Sequence, residues 1–334
     1  MAVAITLFVV TFLSISLHFT EAQIGVCYGK IGDNLPSERD VVSLYKSNGI
    51  GAMRLYSPNI AALQALQGSG IKLVLDVPNE NLRSLARYPS TAIHWVKTNV
   101  VPFASSIKYI VVGNEVDPSY NFASSVLPAM KNVHNALISN NLRAIKVSTS
   151  ISTEIMMSTY PPSNGQFNYT SYITPIVKFI TSNNSPLLVN IYTYFAYISN
   201  QHDINLNYAL FMSPGTVVTD PNNGKNYQNL FDAMVDSIYA ALAKVGAPNT
   251  AIVVSETGWP SAGGVAATVN NAGTYYRNLI NHVKQGTPLK PGQAIETYLF
   301  AMFDEDKKPG AITERHFGLF TPTKVPKYGH LNFK

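Results

Sequence analysis

One alternation runs along most of this chain: a short, near-continuous apolar segment, a break, then a stretch with helical spacing. The apolar segments are 24–29, 52–57, 72–77, 109–116, 146–150, 187–195, 251–256 and 297–303. Segments that are apolar at successive positions suit parallel strands covered on both faces. Between them, Ser57-Pro58 opens a helix over 59–66 that Gly68 and Gly70 close. Pro36-Ser37-Glu38 opens one over 39–46 that Asn48-Gly49 closes. Helical spacing also covers 82–100, 126–139, 227–245 and 272–284. Eight strand-then-helix units in 334 residues predict a single (β/α)8 barrel. An open doubly wound sheet is the alternative, but Gly29-Lys30-Ile31-Gly32-Asp33 is not the glycine-rich phosphate turn such a sheet usually shows after its first strand. Residues 152–186, rich in Pro, Asn, Ser and Tyr, read as an elaborated loop.

Two of the apolar segments end in a carboxylate. Ile252-Val253-Val254-Ser255 leads into Glu256, and Ile110-Val111-Val112-Gly113-Asn114 into Glu115. A charge is costly to bury unless it is paired or used. In a barrel of this kind the C-terminal strand ends share one mouth, so Glu115 on strand four and Glu256 on strand seven are expected there together. Strand alternation puts Gly113 with Glu115, and Val254 with Glu256, on one face. Cleaving a glycosidic bond needs one protonated carboxyl to donate and one ionised carboxylate to attack, held at different pKa values by their surroundings. Arg54, a cation inside its strand, is expected to point to the mouth and keep Glu256 charged; a plain structural ion pair is the alternative. Trp259 either offers a stacking face to a sugar or packs against strand eight.

Composition narrows the setting. Apolar residues make up 46% and charged residues 13%, so the chain can bury a large core. The net charge of +5 is scattered, with no Lys/Arg run longer than two, which argues against a nucleic-acid partner. Cys27 is the single cysteine, which rules out an internal disulfide, and its apolar segment points to a buried structural thiol rather than a nucleophile. Residues 1–22 read as a secretion signal, apolar from Val3 to Leu17 and ending in Thr20-Glu21-Ala22, although no Lys or Arg precedes the apolar part. The segment is short for a membrane span, and an uncleaved anchor is the alternative. The mature catalytic domain is then 23–334, beginning at Gln23. Asn168 and Asn183 are glycosylation acceptors by pattern; Asn184 is not, since Pro186 follows Ser185.

The run Ser255-Glu256-Thr257-Gly258-Trp259-Pro260-Ser261-Ala262-Gly263 resembles the signature of glycoside hydrolase family 17, and Val112-Gly113-Asn114-Glu115 resembles the Asn-Glu pair at strand four of the wider clan of retaining barrels. Ile24-Gly25-Val26-Cys27-Tyr28-Gly29, Met53-Arg54-Leu55-Tyr56 and Phe317-Gly318-Leu319-Phe320 are similar to that family too, so the resemblance spans nearly the whole mature chain. Within the family the chain looks like a plant endo-1,3-β-glucanase of the pathogenesis-related kind, with a use in defence or cell-wall remodelling. The resemblance implies Glu256 as nucleophile, Glu115 as acid/base, Asn114 as partner of the sugar 2-hydroxyl and Tyr192 as partner of the nucleophile. It implies that Tyr56, Asn190, Phe195 and Phe300 line sugar subsites, and that Glu305, Lys308 and Glu314 form a polar group near the cleft. Read without the family, the acidic run around Glu305 is a solvated loop or at best a weak cation site, and no metal or cofactor is expected.

The expected mechanism is retention by double displacement, with the two carboxyls about 5–5.5 Å apart and Glu115 carrying the raised pKa. The expected partner is a 1,3-β-glucan polysaccharide such as callose, laminarin or fungal wall glucan. A 1,3;1,4-β-glucan specificity and a barrel that binds glucan without cutting it are the competing readings. A Schiff-base aldolase barrel is disfavoured because segment 187–195 holds no Lys. With nothing after Lys334, neither the C-terminal extension of vacuolar members nor a lipid-anchor tail is expected. The address is therefore extracellular, apoplast or cell wall, with the vacuole as the alternative, and the chain is expected to be a monomer.

Overall fold

The computed structural model describes residues 23–333; the expected secretion signal lies outside the described residues. Eight strands close into a barrel: β1 Ile24–Tyr28, β2 Ala52–Leu55, β3 Lys72–Val77, β4 Ile107–Asn114, β5 Lys146–Ser152, β6 Leu187–Asn190, β7 Ile252–Thr257 and β8 Thr297–Leu299. Each pairs in parallel with its neighbours in chain order, and β8 returns to β1. This is the single (β/α)8 barrel that the alternation predicts.

Helices α1 Glu38–Ser47, α2 Ile60–Leu66, α3 Leu82–Arg87, α4 Pro89–Asn99, α5 Val126–Ser139, α6 Thr170–Ser182, α7 Thr193–Ser199, α8 Leu206–Ala209, α9 Leu230–Lys244 and α10 Val269–His282 follow the strands. Their starts are written in the sequence. Ser37, Asn59, Asn229 and Thr268 each accept a backbone N–H of the first turn through the side chain, a cap worth about 1 kcal/mol each.

Three expectations about the elements change. The helix read over 82–100 is two helices, because Tyr88 precedes Pro89 and takes an extended conformation (φ −123°, ψ 102°). The loop read over 152–186 contains a short hairpin and α6. Pro175 masks α6 in the sequence, but it lies exposed on the outer face while Ile173, Ile176, Val177 and Ile180 make the buried stripe. The strand read over 187–195 stops at Asn190, and α7 begins at Thr193.

The alternation expected at both carboxylates also fails, for a specific reason. β4 shifts register between Val111 and Asn114, and β7 between Val254 and Glu256. Val253 belongs to the cluster inside the barrel and Val254 to the outer core. Ser255 turns inward like Val253, and the shift then brings Glu256 inward as well, so two consecutive side chains face the mouth. At β4 a Cβ on Gly113 would point outward, toward Leu82 and Val116, and its φ of +85° suits glycine. Asn114 and Glu115 then both face inward.

Candidate active site

The barrel mouth opens on a cleft of about 1100 Å³. Six strands each send a polar side chain toward it: Arg54 from β2, Asp76 from β3, Asn114 from β4, Ser150 from β5, Asn190 from β6 and Glu256 from β7. Glu115 stands one residue beyond β4.

Arg54 organises the floor. It is fully buried. Nε and Nη2 donate to Asp76 Oδ1 and Oδ2 at 3.2 and 2.7 Å, Nη2 also to Asn114 Oδ1 at 2.8 Å, and Nη1 to Glu256 Oε1 at 3.0 Å and Asn190 Oδ1 at 3.2 Å. Only a planar fork of several N–H groups can serve these partners at once; the single ammonium of Lys cannot. The two readings of Arg54 therefore merge: it makes a structural pair with Asp76 and is the cation beside Glu256. Burial pushes the Asp76 carboxyl up to about 6 against the pull of Arg54.

Glu256 is buried and satisfied. Besides Arg54, Tyr56 Oη donates to Oε1 at 2.8 Å and Tyr192 Oη to Oε2 at 2.7 Å. Three donors thus hold the two oxygens of this one carboxylate. Glu115 has a different setting. It opens on the cleft, and Asn190 Nδ2 donates to its Oε1 at 2.9 Å. Its pKa is pushed up to about 7, first by the surrounding protein that displaces water and then by the negative charge of Glu256; Asn190 and Arg54 pull the other way. Contact with cleft water tempers the push without changing its direction.

The amides are orientated by their partners. Asn190 Oδ1 accepts from Arg54, from Ser150 Oγ at 2.9 Å and from Ser255 Oγ at 2.8 Å, so its Nδ2 must face Glu115. Asn114 Oδ1 accepts from Arg54 and from Asn190 Nδ2, which leaves Asn114 Nδ2 without a protein partner among the described residues. Asn114 lines the cleft.

Aromatic side chains form the walls. Tyr56 and Tyr192 meet Phe300 edge-on, with centroids 6.4 and 6.2 Å apart, and Tyr192 also packs on Phe195 and Phe317. Lys308 Nζ lies 4.0 Å from the Phe300 ring centroid and 3.2 Å from Glu314. Glu305 is buried rather than solvated, and its Oε1 accepts Ile31 N at 2.7 Å. All three polar residues line the cleft.

Trp259 is a correction. It does not reach the cleft. Its ring is fully buried among Tyr194, Tyr197 and Tyr275, and Nε1 donates to Ala266 O at 3.0 Å. With both faces packed it has no surface for a sugar. Cys27 is buried inside the barrel, and burial pushes its thiol far up, as a structural thiol requires. Asn168 is exposed, whereas Asn183 is half-buried and donates its amide nitrogen to Phe179 O at 2.7 Å at the end of α6. Among the described residues no group of His, Cys, Asp and Glu stands in position to hold a metal ion, and no helix is long and apolar enough to cross a membrane.

Asp76, Ser150, Ser255 and Phe317 belong to the site, although the sequence reading assigned them no role in it. Asp76 had a usable signal: it is a lone acid near the end of the apolar strand Lys72–Val77, the same anomaly that marks Glu115 and Glu256.

The family model of the glycosyl hydrolases family 17 matches residues 24–333, which includes every side chain of this floor and both carboxylates. The chain belongs to glycosyl hydrolase family 17. It is 58% identical to a glucan endo-1,3-β-glucosidase of Vitis vinifera over 92% of this chain and 90% of that protein. Its fold superposes with a TM-score of 0.90 on CJP38, a β-1,3-glucanase and allergen of Cryptomeria japonica pollen, at 45% identity over 93% of this chain and 99% of that one. A second solved structure, one of two plant β-glucan endohydrolases with distinct substrate specificities, superposes at 0.89, with 48% identity over 92% of this chain and 99% of that one.

Proposed function

We propose that this chain is an endo-1,3-β-glucanase that retains anomeric configuration, with Glu256 as nucleophile and Glu115 as acid/base. One observation carries the assignment of roles: the two carboxyls have opposite environments. Glu256 is held by Arg54 and two tyrosine hydroxyls, whereas burial and the charge of Glu256 keep the proton on Glu115 up to about 7. In the first step Glu256 forms a bond to the anomeric carbon as the bond to the leaving oxygen breaks. That oxygen takes the electron pair, and the proton comes from Glu115. In the second step Glu115 takes a proton from water, which displaces Glu256 and leaves a β product.

Asn114 Nδ2 is the donor to the sugar 2-hydroxyl in this reading, and its orientation by Arg54 supports that role. Tyr56, Asn190, Tyr192, Phe195 and Phe300 line the sugar subsites, with Glu305, Lys308 and Glu314 beside them. The description glucan endo-1,3-β-glucosidase, carried by relatives at more than half identity, supports both linkage and endo action. Release of reducing ends from laminarin and from mixed-linkage barley glucan tests the substrate. Strong laminarin cleavage that Glu256→Gln and Glu115→Gln both abolish fits the proposal; preference for the mixed-linkage glucan moves the chain to the other specificity, and no cleavage of either by a folded protein leaves a binding protein.

The same proposal places the mature chain outside the cell as a monomer, with Asn168 as the more accessible glycan acceptor. The apolar segment from Val3 to Leu17 supports secretion. A secreted product whose first residue is Gln23 is the expected result of N-terminal sequencing.

A further inference from the structure

β3 makes its last pairing with β4 at Val77 and Val112. Its main chain then leaves the sheet: Pro78 has no N–H to give, and Asn79–Asn81 coil into a 3-10 turn. β4 therefore loses its backbone neighbour on that side just where it carries Asn114 and Glu115. The side chain of Asn79 takes the vacated place. Its Oδ1 accepts from Asn114 N at 2.9 Å and its Nδ2 donates to Asn114 O at 2.9 Å, so one amide reproduces both hydrogen bonds of a peptide unit. On the opposite side Glu115 N donates to Ser150 O at 2.9 Å. Between these two clamps Glu115 holds φ +50°, a left-handed conformation that a residue with a Cβ keeps only when its surroundings impose it. The carbonyl held by Asn79 belongs to the peptide bond that leads into Glu115.

We propose that Asn79 is a positioning residue for the acid/base step, fixing the Asn114–Glu115 peptide so that the Glu115 carboxyl is aimed at the leaving oxygen. This rests on the assignment of Glu115 as acid/base. The hydrogen bonds that fix Glu256 come from Arg54, Tyr56 and Tyr192, none of which bonds to Asn79. The Asn114 side chain is held separately, by Arg54 and Asn190 on its Oδ1, so loss of Asn79 leaves attack on the anomeric carbon in register and impairs protonation of the departing oxygen.

Two substrates separate these effects. A glucosyl 3-oxygen departs only with a proton, whereas 2,4-dinitrophenolate departs without one. Asn79→Ala and Asn79→Ser are measured beside Glu115→Ala on laminarin and on 2,4-dinitrophenyl β-laminaribioside, with folding followed by circular dichroism. For each Asn79 variant, kcat/KM on laminarin is expected to fall about ten- to hundredfold, and kcat/KM on the aryl glycoside to stay within about threefold of wild type. Equal losses on both substrates, including loss through unfolding, would make Asn79 merely structural and overturn the proposal, as would unchanged activity on both. Glu115→Ala is the reference: if it shows no such split, the acid/base assignment itself fails, and if it alone shows the split, only the role of Asn79 fails.

Discussion

Asn190 donates from Nδ2 to Glu115 Oε1 at 2.9 Å, and among the described residues this is the one side-chain hydrogen bond that ties the proposed acid to the barrel floor. With Oε1 occupied as an acceptor, the proton of the neutral acid sits on Oε2. Asn190 itself cannot flip, because Arg54, Ser150 and Ser255 all donate to its Oδ1. The proton donor is thus orientated through an amide that the opposite carboxylate's cation also holds.

Replacing Asn190 by Ala removes a bond that pulls the Glu115 pKa down. The pKa should rise, and the alkaline limb of kcat/KM should move to higher pH. The rate at the optimum should fall about tenfold or more, since the carboxyl loses its aim. A pH–rate profile of Asn190→Ala checks both; an alkaline limb that stays in place or moves down contradicts the assigned direction.

The raised pKa of Glu115 has a sign for stability as well. The folded carboxyl holds its proton up to about 7, against an ordinary value of 4.5. Between those limits the folded state binds more protons than the unfolded one. Its contribution to stability is fully present below about 4.5 and is lost as pH rises through about 7. Glu115→Gln cannot ionise and escapes the loss. Its Tm should therefore match wild type near pH 4 and exceed it near pH 8; thermal melts across that range decide.

Arg54 faces two buried carboxylates at once. Arg54→Ala leaves Asp76 and Glu256 without their cation, which should cost about 3–5 kcal/mol of unfolding free energy. Arg54→Lys restores a charge but not the fork, so activity should remain far below wild type. Denaturant midpoints and kcat/KM on laminarin measure the two effects. Wild-type stability and rate in Arg54→Ala would refute the role of Arg54.

For Trp259 the structure reverses the stacking role. Trp259→Ala should cost about 3–5 kcal/mol as a core truncation. In the folded protein the KM for glucan should stay within about twofold, since uniform substrate binding is untouched. A large KM increase with wild-type stability would restore Trp259 to the cleft.

The barrel was readable in the sequence because both-face burial writes each strand as an unbroken apolar segment, and because Pro36-Ser37-Glu38 and Ser57-Pro58 announce helix starts. Glu115 and Glu256 were readable as charges that end such segments. What could not be read was local geometry that departs from the regular period. The register shifts in β4 and β7 turn Asn114 and Glu115, and Ser255 and Glu256, inward in consecutive pairs, which no alternation rule yields. Pro175 hid α6, and the Tyr88-Pro89 step divided one apparent helix into two. Trp259 follows Glu256 by only three residues, yet the chain turns away from the mouth after Thr257 and carries it into the outer core. Asp76 was marked as a lone acid in an apolar strand, but its bond to Arg54 and the bonds of Asn79 to Asn114 were not, because sequence carries no mark of a partnership across strands.

The central claim is the division of labour between Glu256 and Glu115, and the anomeric configuration of azide adducts tests it most directly. Glu115→Ala and Glu256→Ala are each incubated with 2,4-dinitrophenyl β-laminaribioside and azide, and the products are read by NMR. The account predicts a β-glycosyl azide from Glu115→Ala, where azide replaces base-assisted water on the covalent intermediate. It predicts an α-glycosyl azide from Glu256→Ala, where azide enters the space of the missing nucleophile. The reverse pairing of anomers would contradict the account.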